Sequence, residues 1–211
     1  RWEMESQQFP GDLLEATDSL ASLSPQRFES LGGVQALYRL LRCIPERLSL
    51  SELKNRCHLP ELDAILERYF GSLPKESWPD EVALRGPLLF GIAESERARL
   101  FFEALQGGDF HTAGRLMTVG HDGDRRFRRN GSPFCYDVSD AALEQLERQQ
   151  TPIHWCPGAY RASSAVLDAL VDAALDAGAL GASLTGAGIG GAVLALCREE
   201  TADEVAQALR R

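Results

Sequence analysis

The chain has 211 residues, of which 44% are hydrophobic and 25% are charged, a composition that excludes a disordered or fibrous protein. Its formal net charge of −9 disfavours binding to nucleic-acid phosphates or to anionic membrane surfaces. The 5 cysteines, an odd number without paired spacing, are typical of reduced thiols rather than of a disulfide framework. We therefore expect a cytoplasmic protein with no nucleic-acid and no membrane partner.

The first part of the chain contains short helical patterns that prolines interrupt. Residues 33–41 and 61–69 have helical spacing, whereas Pro45 and Pro60 break the patterns between them. We expect residues 1–84 to form a helical appendage that continues from an N-terminal domain outside this chain.

The middle of the chain predicts two helices joined by a tight turn. From Gly91 onward, apolar residues recur with helical spacing until Gly107. Asp109 is a typical N-cap for the second helix, and the polar run that starts at His121 is expected to end it. Residues 121–135 are rich in Arg, Asp, Gly and Asn without an apolar period, which predicts a mobile surface loop.

The last third of the chain predicts helices mixed with strands. Ser163 is expected to cap a helix, and short strands are expected over residues 180–184 and 192–197. The second strand is apolar throughout, which is typical of a strand that is buried on both faces. Thr201 and Glu204 form a capping-box pattern before a final helix. The predicted class is α+β, with helices covering an antiparallel sheet.

A glycine-rich segment separates the two predicted strands. It consists of Thr185, Gly186, Ala187, Gly188, Ile189, Gly190 and Gly191. Without Cβ atoms, successive N–H groups can turn toward one point and form an anion-binding nest. The same glycines also fit a tight turn between strands, and their spacing alone leaves both interpretations open. A following strand excludes the dinucleotide fingerprint, and Ala192 after the last glycine excludes the P-loop.

Residues 181–191, followed by an apolar strand, resemble the third conserved motif of GHMP kinases in its galactokinase form. Upstream segments match in the family's order, and these are residues 90–99, 108–121 and 160–172. The resemblance covers residues 85–198 well and residues 1–80 weakly. The combination of segments is specific, although each piece alone is not.

The resemblance implies a ferredoxin-like C-terminal domain over residues 85–211. It also implies an ATP-dependent sugar kinase, with galactose C1 as the acceptor and with ATP and Mg²⁺ held mainly by an N-terminal half that this chain lacks. Residues 185–191 would lie close to the nucleotide and the sugar. No residue of this chain is expected to be catalytic or to bind metal, so the chain alone is expected to be inactive. The alternative is a stand-alone sugar- or metabolite-binding module, or a regulatory module.

Three charged patterns have both structural and functional interpretations. Arginines around Phe127 can hold nucleic acid by phosphate contact and stacking, but the negative net charge disfavours this and a solvated loop explains such a short run more simply. His121 with Asp122 fits a catalytic dyad or, more simply, a helix-end contact. Glu94 and Arg97 are three residues apart and predict an exposed ion pair on a helix.

Overall fold

The computed structural model describes residues 22–57, 61–186, 188 and 191–210. Within these residues the chain forms eight α-helices and four β-strands. The helices are α1 (Val34–Cys43), α2 (Leu50–Cys57), α3 (Leu62–Phe70), α4 (Arg85–Gln106), α5 (Phe110–Asp124), α6 (Asp140–Arg148), α7 (Ala165–Asp176) and α8 (Ala202–Ala208). The strands are β1 (Arg47–Ser49), β2 (Glu81–Ala83), β3 (Gly181–Thr185) and β4 (Ala192–Leu196).

The strands form two small antiparallel sheets among the helices, so the fold is a mixed helical one with little sheet. β1 pairs with β2, and β3 pairs with β4. The first pair and helix α6 were not predicted from the sequence, whereas β3 and β4 are where the apolar runs placed them. None of the described helices combines the length and the apolar character that a bilayer crossing requires.

Helices α4 and α5 pack against each other around the predicted turn. Asp109 is the N-cap of α5, and its Oδ1 accepts a hydrogen bond from Thr112 N at 3.0 Å, as the sequence predicted. Helix α4 begins at Arg85, six residues earlier than expected. Pro87 lies in its first turn, where backbone N–H groups have no partner within the helix, so the proline does not prevent helix formation.

Two predicted helix caps differ in the structure. The N-cap of α7 is Ser164, whose Oγ accepts a hydrogen bond from Leu167 N, and not Ser163. Ser163 is instead held by its own backbone N–H, which donates to Asp124 O at 2.9 Å. The capping box at α8 is not formed, because Thr201 has helical rather than extended backbone angles and its hydroxyl donates to Arg198 O.

The larger hydrophobic cluster joins helix α1 to helices α4 and α6. Leu37 and Leu41 of α1 are fully buried with Leu89 of α4 and Leu143 of α6. Tyr38 adds a polar link, because its hydroxyl donates to Thr151 O at 2.7 Å. Residues on both sides of position 84 therefore share one core in the described part of the chain.

The smaller cluster holds the β3–β4 hairpin against α7 and α8. Its buried members are Val171, Ala174, Ala182 and Val205. The opposite face of the hairpin is open, and Leu194 of β4 is 58% exposed. The expectation that β4 is buried on both faces was wrong, because no described element covers its outer face.

Helix α5 approaches β3 so closely that backbone lies on backbone. A Cβ atom on Gly181 would overlap the carbonyl group of Gly114, and a Cβ on Gly114 would overlap the carbonyl group of Leu180. Any side chain at either glycine would separate the helix from the strand. This contact fixes where β3 runs and therefore where the glycine-rich segment begins.

Candidate functional site

The glycine-rich segment connects two antiparallel strands, as the sequence predicted. Thr185 pairs with Ala192 at the end of the hairpin next to the connection, and β4 begins at Ala192, directly after the described residue Gly191, with none of the described residues of the connection in a helix. Of the seven predicted site residues, Thr185, Gly186, Gly188 and Gly191 are described. Ala187, Ile189 and Gly190 lie outside the described residues.

Gly188 is the described glycine of this connection that has the closest neighbours. Its φ is +75°, and a Cβ atom there would overlap the backbone carbonyl of Ala162. Gly186 has a similar φ of +81° but no neighbouring atom within 4 Å of its Cβ position. The connection therefore touches the segment before α7 through Gly188 and is open at Gly186.

The segment around Ala162 is itself tied to the end of α5. Tyr160 N and Arg161 N both donate to Gly123 O, at 2.9 Å and 3.0 Å. Tyr160 also stacks on Phe90 of α4 with ring centroids 5.1 Å apart. The glycine connection thus rests on a segment whose backbone and side chains are both restrained.

A group of buried polar side chains lies between α5, α7 and β3. His121 Nδ1 accepts a hydrogen bond from Leu184 N at 3.3 Å, and His121 Nε2 lies 3.2 Å from Asp168 Oδ1 without being aligned for a hydrogen bond. Asp168 Oδ2 accepts hydrogen bonds from the backbone N–H groups of Arg126 and Phe127. The dyad of His121 with Asp122, the less favoured of the two interpretations, is not formed, because the imidazole lies beside Asp168.

The predicted mobile loop over residues 121–135 is an ordered helix end followed by a turn. Helix α5 continues to Asp124, and the turn is closed by the hydrogen bond from Arg128 N to Ser132 O at 2.8 Å. The prediction failed because these polar residues have buried partners far away in the sequence. Arg125, for example, donates to both carboxylate oxygens of Asp172 at 3.1 Å and 2.9 Å.

The same contacts decide between the two interpretations of the arginine run. Arg129 pairs with Asp176 on the exposed side of α7, next to the Arg125–Asp172 pair. Arg126 and Arg128 lie over aromatic rings, those of Phe127 and Phe134. The paired arginines bind the loop to α7, which favours the structural role.

Burial changes the protonation of two side chains near the end of α5. Burial, and next the Arg125 guanidinium, lower the pKa of His121 to about 4, so the imidazole is neutral at pH 7. Burial raises the pKa of the Asp124 carboxyl to about 6. These shifts have opposite effects on stability in the same pH range.

Between pH 6.5 and pH 4.5 the free energy of unfolding is expected to contain one contribution from His121 and one from Asp124. The folded pKa of His121 lies below its ordinary value of 6.5, so the unfolded chain binds this proton first and His121 lowers stability as the pH falls. The folded pKa of Asp124 lies above its ordinary value of 3.8, so its contribution is present at low pH and is lost as the pH rises through about 6. Each contribution amounts to about 2 kcal/mol over this range, and the two offset each other.

Two variants separate these contributions in urea unfolding at both pH values. The free energy of unfolding of Asp124→Asn is expected to fall by about 2 kcal/mol more than that of the wild type between pH 6.5 and pH 4.5, because the His121 contribution is no longer offset. The free energy of unfolding of His121→Asn is expected to rise relative to that of the wild type by about 2 kcal/mol over the same acidification, because the Asp124 contribution is no longer offset. Identical pH dependence in all three proteins contradicts the assignment of these two pKa shifts.

A cleft of 290 Å³ adjoins the start of the glycine connection. It lies between α4, α5 and the outer face of the hairpin, and one of its walls is apolar. Its lining residues are Glu94, Arg97, Ala98, Phe101, Leu116, Met117, Ser183, Leu184, Thr185 and Leu194. The cleft therefore combines an apolar surface with one charged pair and the first residue of the predicted site.

Arg97 forms the buried end of this cleft. Its side chain is only 2% exposed, so the predicted exposed ion pair with Glu94 was wrong with respect to Arg97. Its Nη1 donates to the carbonyl oxygens of His154 and Cys156, and its Nε donates to Glu94 Oε2 at 2.6 Å. Spacing along a helix indicates the pair but not its burial, because the carbonyl partners are almost sixty residues away.

The described residues contain neither a disulfide nor a group that could hold a metal ion. Cys135, Cys156 and Cys197 are free thiols. No three His, Cys, Asp or Glu side chains converge as ligands within the described ranges.

Comparison with known proteins shows which family the C-terminal part of the chain matches. A family model described as "GHMP kinases C terminal" matches residues 149–211. The matched stretch contains α7, the β3–β4 hairpin with its glycine connection, and α8. Residues 149–211 therefore match the GHMP kinase C-terminal family, which confirms the resemblance inferred from residues 181–191.

Curated relatives are galactokinases. One from Mycobacterium tuberculosis is 32% identical over 120 residues, which cover 57% of this chain and 24% of the relative. One from Thermococcus kodakarensis is 32% identical over 105 residues, covering 50% of this chain and 21% of the relative. One from Pyrococcus furiosus is 36% identical over 75 residues, which cover 35% of this chain and 21% of the relative. The chain is thus galactokinase-like in this portion, and the matched part spans at most about a quarter of these relatives' length.

Proposed function

We propose that this chain is the C-terminal part of an ATP-dependent sugar kinase that phosphorylates galactose at C1. The observation that carries the proposal is the glycine connection between β3 and β4, whose first residue Thr185 lines the cleft and which lies in the stretch matched by the family model. Galactokinases among the relatives support galactose as the acceptor. Fold alone would not name the sugar.

In this proposal the chain supplies position rather than a titratable group. Phosphoryl transfer depends mainly on placing the reactants and on stabilising charge. Backbone N–H groups of residues 185–191 are proposed to meet anionic or hydroxyl oxygens, and the open surroundings of Gly186 leave room for such a ligand. ATP and Mg²⁺ are assigned mainly to an N-terminal half, together with the catalytic base. Nucleotide and Mg²⁺ supply the phosphoryl group and the charge neutralisation when bound.

In the proposed ferredoxin-like sheet, further strands can add at only one edge of the β3–β4 hairpin. The outer edge of β3 is covered by α5, because Thr118 Oγ1 and His121 Nδ1 accept the N–H groups of Ala182 and Leu184. Among the described residues β4 pairs with β3 only, so its outer edge is open. Residues 85–210, as far as they are described, contain only these two strands, so further strands are proposed to come from a preceding half and to add beside β4.

The same proposal locates the protein in the cytoplasm, with a sugar and ATP as its small-molecule partners. The free thiols of the described residues suit a reducing compartment. A stand-alone binding module is the competing function, and affinity of this chain alone distinguishes the two. The kinase proposal expects weak or undetectable binding of galactose or ATP to the isolated chain in calorimetry, whereas tight binding of either favours the module.

Gly188→Ala in the full-length protein is expected to lower kcat about 100-fold. The added Cβ atom would overlap the Ala162 carbonyl, so the connection must move. A misplacement of about 1 Å in such a site costs about 100-fold in rate, or about 2.7 kcal/mol of barrier. Steady-state galactose phosphorylation measures the effect.

Gly186→Ala is the matched control for this variant. Gly186 has a similar φ of +81°, but its Cβ position is free of neighbours within 4 Å, so only the backbone strain is shared. We expect its kcat to fall by less than about tenfold, which corresponds to strain of about 1 kcal/mol. If thermal midpoints fall for Gly188→Ala while kcat stays near wild type, the glycines serve the turn alone.

A further inference from the structure

Two side chains of α5 replace a neighbouring strand along one edge of β3. Thr118 Oγ1 accepts a hydrogen bond from Ala182 N at 3.4 Å, and His121 Nδ1 accepts one from Leu184 N at 3.3 Å. Residues three apart lie on the same face of a helix, and residues two apart point their N–H groups to the same edge of a strand. An edge N–H group otherwise needs another strand or water. Helix α5 therefore determines the course of β3 as far as Leu184, just before the glycine connection.

His121 is suited to this contact because it is fully buried and neutral. Burial and the Arg125 guanidinium keep its pKa at about 4, so one ring nitrogen retains a lone pair at pH 7. The hydrogen bond from Leu184 assigns that lone pair to Nδ1 and the proton to Nε2. Asp168 lies beside Nε2, with Oδ1 at 3.2 Å, and its other oxygen is held by two backbone N–H groups. These backbone hydrogen bonds hold the Asp168 carboxylate in place independently of His121.

We propose that His121 is a positioning residue for the glycine connection. Its Nδ1 fixes the Leu184 N–H group two residues before Gly186, and so fixes the direction in which β3 enters residues 186–191. The fixed carboxylate of Asp168, with Oδ1 3.2 Å from Nε2, favours the ring orientation in which Nε2 carries the proton. That His121 fixes the backbone at Leu184 follows from these contacts alone. That this also places the connection for a bound ligand rests on the proposed kinase function.

Amide hydrogen exchange of the 211-residue chain, read residue by residue by NMR, tests this role. His121→Leu removes the acceptor, and we expect the Leu184 and Thr185 amides to exchange about tenfold faster relative to Val171 in the core of α7. His121→Asn places an amide oxygen near the position of Nδ1, and it is expected to restore most of the protection. The ¹⁵N shifts of His121 are expected to report a bare Nδ1 and a protonated Nε2.

Thr118→Val is the matched control because it removes the neighbouring acceptor and keeps the shape of the side chain. Its effect is expected at Ala182, with Leu184 exchange within about twofold of the wild type. Uniform acceleration that includes Val171 in His121→Leu, failure of His121→Asn to restore protection, or a protonated Nδ1 each contradicts the proposal.

If His121→Leu does not fold, Asp168→Asn takes its place. That variant leaves the imidazole without its fixed carboxylate, and faster exchange at Leu184 is again the expected result. Unchanged exchange overturns the proposal. All these measurements are made without nucleotide or sugar, so they succeed or fail independently of kinase activity.

Discussion

Gly114→Ala is expected to lower the free energy of unfolding by about 3 kcal/mol. The new Cβ would overlap the Leu180 carbonyl and stand 2.9 Å from Gly181 N. Both are backbone atoms of the segment that leads into β3, so they cannot rotate away and the helix must separate from the strand. Urea unfolding of the variant and the wild type measures the loss.

Gly120→Ala controls for the gain that alanine brings to any helix. Both glycines lie inside α5, where alanine in place of glycine favours the helix by about 1 kcal/mol. At Gly120 the nearest atom to the new Cβ is Glu94 Oε2 at 3.1 Å, the end of a half-exposed side chain that can turn away. We expect this variant to stay within about 1 kcal/mol of the wild type. Equal stability of the two variants contradicts the close helix–strand contact.

Arg97→Met is the second change with a large expected effect, a loss of about 3 to 5 kcal/mol in the free energy of unfolding. Methionine leaves the carbonyl oxygens of His154 and Cys156 without the donor that the buried Arg97 supplies. Those carbonyls belong to the turn that connects α6 to the segment before α7. The variant is therefore expected to expose this turn to proteolysis as well as to lower the thermal midpoint.

Arg99→Met supplies the comparison on the same helix. Arg99 is 47% exposed; its pair with Glu103 is exposed on both sides, and Glu96, which is 11% exposed, keeps the hydrogen bond from Gln26 when Arg99 is replaced. Exposed ion pairs contribute little, so a loss of no more than about 1 kcal/mol is expected. A similar loss in both variants indicates that burial of Arg97 does not matter to stability.

The hairpin and the glycine connection could be predicted from local sequence. Residues 192–196 are apolar and continuous, and the glycines before them need a conformation that other residues resist, so strand, turn and strand follow from the chain itself. The cap at Asp109 is local in the same sense, because its acceptor and its donor are three residues apart. Such features depend on neighbours in the chain.

The polar part of the site could not be predicted in this way. His121 and Asp124 look like the start of a solvated loop until Asp168 and Leu184, more than forty residues later, are placed beside them. Arg97 looks exposed for the same reason. One partial signal was present: Asp168, Asp172 and Asp176 recur every four residues, which puts three carboxylates on one face of α7 opposite the arginine run.

Galactose phosphorylation by the full-length protein, compared with that by this chain alone, tests the central claim most directly. The assay supplies ATP, Mg²⁺ and galactose and measures galactose 1-phosphate. We expect turnover by the full-length protein and none by the 211-residue chain, because the chain provides a wall of the site and not its base or metal ligands. Product formed by the isolated chain, or no sugar phosphorylation by the full-length protein, contradicts the proposed function.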